Sequence, residues 1–176
     1  MIRVGRVWGA WGAVVGVLVA VTLAGCGAEA EATPGGYIPD GERVSPFDTT
    51  HPAIRKLDPA LLDAVKTAAT DARADGVDIG VTSGWRSKAY QQQLLDEAVA
   101  EYGSDTEARR FVSTPEESEH VTGHAVDIGP TDAADWLIQH GADYGLCQPY
   151  ANEMWHFELL TSPGGACPPA RPDAAG

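Results

Sequence analysis

The sequence predicts an α+β domain: one small antiparallel sheet packed with helices. Three observations lead there. Several stretches carry an apolar stripe at helical spacing, whereas the stretches that alternate as strands do are few and short. The chain has 176 residues, enough for one domain and a tail but not for two full domains. Its hydrophobic fraction is 44%, which supports a packed core and excludes wholesale disorder. Helices separated by a few short strands give this class.

Taken in order, the chain opens with a segment that does not belong to the fold. Arg3 and Arg6 make a positive start, and residues 7–23 are almost wholly apolar. Small residues then precede a cysteine in Leu23-Ala24-Gly25-Cys26. This pattern reads as a secretory signal peptide over residues 1–25. Leu-Ala-Gly-Cys resembles the lipobox of bacterial lipoproteins, which implies that Cys26 is lipidated and becomes the new N-terminus. The competing reading is an uncleaved transmembrane anchor, for which the apolar run is short. Residues 26–50 are rich in Gly, Pro, Ala and Glu with little periodicity. They read as a flexible tether to the membrane, with the domain over residues 51–176.

Within the domain, Asp58-Pro59 starts a helix, Asp as N-cap and Pro at the first helical position. Leu61, Leu62, Val65, Ala68, Ala69 and Ala72 form its stripe, and Gly76 ends it. Residues 77–82 alternate as a strand. Ser87 caps a second helix whose face is Tyr90, Leu94, Leu95, Ala98 and Val99, ending at Gly103. A shorter helix is expected around residues 106–111 and a short strand over 125–128. Asp132 is expected to cap a helix through Trp136, Leu137 and Ile138 to Gly141. Residues 155–160 read as a last strand. The tail from Ser162, rich in Pro, Gly and Ala, is expected to wrap the surface. No internal repeat is present.

Charge narrows the partners. Twelve Lys and Arg stand against twenty-five Asp and Glu, for a net charge of −13. Such a chain has no broad basic face for nucleic acid. Three cysteines cannot all pair within one chain. A lipid on Cys26 leaves Cys147 and Cys167 in an exported protein, where disulfides persist. Their pairing is the simplest reading, and two free thiols are the alternative.

The chemistry sits among the histidines. His120 and His124 are spaced i, i+4, as in a helical zinc motif, but no Glu follows the first His. Val121, Thr122 and Gly123 between them also make a poor helix, so this reading is rejected. A strand reading serves better. In Gly123-His124-Ala125-Val126-Asp127-Ile128, the residues Gly123, Ala125 and Asp127 share one face. Asp127 thus stands among neighbours with almost no side chain, leaving room for a metal ion. His120 lies in the turn before it. His120, Asp127 and a distant His156 would give three ligands and one open position. Glu153 would be a free carboxylate beside that position. On the residues alone, His156 can equally be structural and Glu153 a solvated charge.

Three motifs in order then carry a resemblance. Ser83-Gly84-Trp85-Arg86-Ser87 comes first, Ser118-Glu119-His120-Val121-Thr122-Gly123-His124-Ala125-Val126-Asp127 second, and Glu153-Met154-Trp155-His156 third. Together they resemble the VanY-type zinc D-alanyl-D-alanine carboxypeptidases, relatives of the VanX dipeptidases, over about residues 51–160. The resemblance implies a zinc D,D-peptidase-like fold with the zinc site at the sheet. It implies one zinc per chain on His120, Asp127 and His156, with Glu153 as catalytic base. Arg86 is implied as a catalytic and substrate-binding residue, near the reacting carbonyl or the terminal carboxylate. Its alternative is an ion pair at a helix start. Ser118 is implied to hold the substrate backbone, with a turn cap as its alternative, and His124 is a bystander. Trp85 and Gln92 could line the cleft or equally serve packing and surface.

The substrate so implied is a peptidoglycan stem peptide ending in D-alanyl-D-alanine. The protein is expected as a monomer, exported and held by its lipid at the outer face of the cytoplasmic membrane. An L,D-carboxypeptidase, a dipeptidase or an endopeptidase of the same fold stays open, because loops rather than motifs separate them. A non-catalytic wall-binding lipoprotein is disfavoured, because the three ligands and the base are all present.

Overall fold

The computed structural model describes residues 34–175. The expected signal peptide, Cys26 and the first part of the expected tether lie outside the described residues. Among the described residues no helix is long and apolar enough to cross a membrane.

Four strands form one antiparallel sheet in the order β1-β2-β4-β3. These are β1 (Gly80–Ser83), β2 (Ala125–Gly129), β3 (Leu146–Cys147) and β4 (His156–Leu159). The helices are α1 (Pro52–Arg55), α2 (Pro59–Ala74), α3 (Lys88–Tyr102), α4 (Asp105–Ala108), α5 (Glu119–Thr122) and α6 (Thr131–His140). The predicted class is therefore the observed one.

Helix α2 starts where its residues dictate. The Asp58 carboxylate accepts the Ala60 and Leu61 N–H groups at 2.9 and 3.2 Å, and Pro59 needs no donor partner. Leu61, Val65, Ala68, Ala69 and Ala72 are buried along one side. They join one core with Ile54, Val126, Ile128, Leu137 and Phe157. Val126 and Phe157 pair across β2 and β4 and both face this core. Strand alternation then sends their neighbours Asp127 and His156 to the other face. The core-facing residues thus fix which face carries the polar set.

Several expectations need correction. Residues 34–50, expected as tether, pack onto the domain: Ile38 is buried in the core and Val44 bridges Val81 of β1. Composition pointed to disorder, but one isoleucine in the core and one backbone bridge anchor the stretch. Strand β1 begins at Gly80 rather than at residue 77. Helix α6 begins at Thr131 with Pro130 as N-cap, and Asp132 lies in its first turn. The short helix is Asp105–Ala108, and residues 109–111 leave it. Buried Gln91 and not Tyr90 belongs to the inner face of α3.

Candidate active site

Three strands set the polar row. Asp127 on β2 stands opposite His156 on β4 and Ser83 on β1. His120 enters from α5, a single helical turn where the sequence placed a turn before the strand. Gly123 ends that turn in the left-handed region, at φ 83°, where other residues are strained. A Cβ there would also press on the Lys56 carbonyl. Gly84 is needed for a different reason: a Cβ would collide with the Ala53 carbonyl. The Gly84 carbonyl itself meets the Nδ1 of His120, at 2.9 Å.

The donor atoms converge. His120 Nε2 lies 3.2 Å from His156 Nδ1 and 3.3 Å from Asp127 Oδ1, and His156 Nδ1 lies 3.1 Å from the same oxygen. All three residues are buried. Zinc bonds of about 2.0–2.1 Å in a tetrahedron put ligand atoms about 3.4 Å apart. The observed triangle is close to one face of such a tetrahedron. The outer nitrogens are held too, as metal-binding imidazoles usually are. His120 Nδ1 meets a carbonyl, which can only accept, so this nitrogen carries the proton and Nε2 presents a lone pair. His156 Nε2 meets Glu158 Oε1 at 3.1 Å, which turns Nδ1 inward. Two imidazole nitrogens and a carboxylate oxygen therefore face one point, and such a donor set fits a zinc ion.

Protonation follows from this crowding. Burial, with the Arg86 charge adding to it, lowers the pKa of His120. Burial would also lower that of His156, but bonds to Asp127 and Glu158 outweigh it and raise the pKa to about 9. Burial would raise Asp127, yet its two histidine partners and Arg86 hold it well below the usual carboxylate range. In the metal-free protein a proton on His156 thus meets part of the demand for positive charge.

Glu153 stands next to this triangle. Its Oε2 is 3.8 Å from His156 Nδ1, while its Oε1 is buried and has no hydrogen-bond partner. Burial, with Asp127's charge adding to it, raises its pKa to about 7 although His156 opposes the shift. Arg86 lies just before α3, whose first turn is capped by Ser87 Oγ. Its Nε donates to Ser83 Oγ at 2.8 Å, one terminal nitrogen to Gln91 Oε1 at 3.1 Å, and the other to Asp127 Oδ2 at 2.8 Å. The acid it pairs with is Asp127, not a helix-start carboxylate. Ser118 precedes α5, but its side chain makes no cap bond; it lines the cleft instead. The cleft measures about 210 Å³ and brings together Arg86, Ser118, His120, Asp127, Glu153 and His156.

Three expectations fall outside it. His124 is exposed and pairs with Glu119, in keeping with a bystander. Gln92 is exposed and bonds Asp96, so the glutamine at the cleft is its neighbour Gln91. Trp85 lies under the Lys56 ammonium, 3.6 Å from its ring centre, and is not part of the cleft wall. Two residues were missed. Glu158 holds His156, and its signal was the two-residue spacing that puts both on one strand face. Gln91 holds Arg86 and donates to the Ser113 carbonyl at 2.8 Å. Its signal was a polar residue in the helical stripe, four before Leu95. The expected Cys147–Cys167 bridge is present, with Cα atoms 5.6 Å apart.

Comparison with known proteins agrees with this geometry. A D-alanyl-D-alanine carboxypeptidase of Enterococcus faecalis is 34% identical over 114 residues, which make up 51% of this chain and 42% of that protein. The chain thus spans less than half the length of that relative. A solved variant of the vancomycin-resistance D,D-pentapeptidase VanY in complex with Zn(II) is 29% identical at a TM-score of 0.56, covering 60% of this chain and 73% of the other. The LdcB LD-carboxypeptidase is 26% identical at a TM-score of 0.55, covering 72% and 71%. The profile of the VanY family, described as D-alanyl-D-alanine carboxypeptidase, matches residues 54–161, so that the row of polar residues across the sheet, most of the cleft lining and most of the core lie inside it: the chain belongs to the VanY family.

Proposed function

We propose that the protein is a zinc-dependent carboxypeptidase that removes the terminal D-alanine from peptidoglycan stem peptides ending in D-alanyl-D-alanine. One observation carries the reading: three buried donors converge at zinc-ligand spacing beside a buried carboxylate oxygen with no partner. The family match supports the substrate class, and Zn(II) in the VanY relative supports the metal.

His120, Asp127 and His156 would hold one zinc per chain. When bound, zinc supplies a Lewis acid and a water activated near neutral pH. Glu153 takes the proton of the attacking water and passes it to the leaving amine. Its Oε1, buried without a hydrogen-bond partner, is available for that transfer. Arg86 spends three of its five N–H groups on Ser83, Gln91 and Asp127. The two that remain present a cation for the terminal carboxylate or for the developing oxyanion. Ser118, free of a capping bond, would hold the peptide backbone. A second reading, an L,D-carboxypeptidase, is favoured by the likeness to LdcB, whose TM-score is nearly that of VanY.

Mass spectrometry of products from synthetic stem peptides tests both. The zinc-loaded protein should release one D-alanine from peptides ending in D-Ala-D-Ala. Release from peptides ending in a single D-Ala would move the assignment to the L,D class, and internal cleavage to an endopeptidase. No product from any of them would overturn the peptidase reading.

We also infer that the mature chain is exported and tethered to the membrane by a lipid on Cys26. The Leu23-Ala24-Gly25-Cys26 pattern supports this, as does a disulfide of the kind that persists in oxidising compartments. Cys26→Ala should shift the protein from the membrane to the soluble fraction or stall its processing. Unchanged partition would favour an uncleaved anchor.

A further inference from the structure

Residues 168–175 lie beyond the family match, yet they come back to the catalytic cleft. Arg171 is the first point of attachment. Its N–H donates to the Pro149 carbonyl and its carbonyl accepts from Ala151 N–H, both at 2.8 Å. Its guanidinium lies 4.8 Å over the Tyr150 ring and donates to the Tyr150 hydroxyl at 3.0 Å. This grips the loop that leads to Glu153. The second attachment is to Arg110. Asp173 is buried and accepts from Arg110 Nε at 2.8 Å. The Arg110 carbonyl in turn accepts from Asn152 Nδ2 at 3.0 Å and from Ala174 N–H at 3.4 Å. The segment therefore ties the Glu153 loop to Arg110, and Ala174, next to Asp173, joins Val112 in the lining of the cleft.

We propose that this strap is a specificity element: Ala174 is the residue that limits the size of the amino acid standing at its end of the cleft. The proposal rests on the peptidase reading above. A cleft of about 210 Å³ is smaller than common ligand pockets of about 300–1,000 Å³. A wall held by an ion pair and backbone bonds on both sides cannot readily yield to a larger side chain. A methyl group at Ala174 leaves space for a small residue, and any larger side chain there would occupy that space itself.

The test uses zinc-loaded protein and peptides in which the residue on one side or the other of the scissile bond is enlarged from D-alanine to D-leucine. Ala174→Leu should raise KM on the all-alanine peptide with kcat little changed, lowering kcat/KM by about tenfold or more. Asp173→Ala, which frees the strap from Arg110, should raise leucine use relative to alanine use by about tenfold, at one of the two positions only. Zinc content measured on each variant shows that the metal centre is intact. If Ala174→Leu loses zinc, Asp173→Ala decides alone. An unchanged leucine-to-alanine ratio in zinc-loaded variants overturns the strap's role. A wild-type protein that cleaves neither peptide overturns the peptidase reading itself, and the strap proposal with it.

Discussion

His156 is bonded to an acid at each of its nitrogens, Asp127 on one side and Glu158 on the other. Its pKa of about 9 means that the metal-free protein holds a proton there at pH 7. A ligand nitrogen must be unprotonated, so metal binding has to expel that proton. His120, lowered by burial, has none to give. Glu153, raised to about 7, is about half protonated at that pH and loses the remainder beside a dication. Zinc binding at pH 7 should therefore release between about one and two protons, and apparent zinc affinity should rise with pH until about 9. Calorimetry in buffers of different ionisation heat measures this directly. Zero release at pH 7 would contradict a protonated His156 that zinc displaces. His120, Asp127, Glu153 and His156 were legible because each sits in a motif with a chemical reason for its spacing. Glu158 and Gln91 were not, because each acts only by holding another side chain across a strand pair or a helix turn.

Elements with caps and stripes were easily read. Asp58-Pro59 and Ser87 start their helices where expected, and Gly103 ends α3. The pieces that escaped are very short: β3 has two residues, while α1 and α5 are single turns set by tertiary contacts rather than by periodicity. The stretch 34–50 escaped for another reason. Its composition is that of a linker, and only the burial of Ile38 and the Val44–Val81 bridge make it part of the domain. The disulfide acts at this scale. It joins β3 to the segment after β4 across 20 residues, and the loop it closes carries both Glu153 and His156. Replacing Cys147 and Cys167 by Ala should lower the unfolding free energy by about 3 kcal/mol, read from urea denaturation. A loss well under 1 kcal/mol would show that the fold alone holds this segment.

At the scale of the whole molecule, the fold brings three distant stretches of sequence to one cleft. The segment before α3 supplies Arg86, α5 and β2 supply His120 and Asp127, and the loop into β4 supplies Glu153 and His156. Strand pairing aligns Asp127 with His156, and alternation over residues 123–128 had already put Asp127 on the face of the small residues. The strap across the cleft was not implied, since a Pro- and Gly-rich tail has no periodic pattern to show where it docks. The central claim is that the three ligands hold zinc and that Glu153 moves the proton. Metal content and turnover measured on the same samples of wild type and Glu153→Ala test it most directly. The account predicts one zinc per chain in both proteins, with turnover in the variant lower by about 10²–10⁴-fold or more. Loss of zinc in Glu153→Ala, or turnover within a few fold of wild type in its zinc-loaded form, would contradict it.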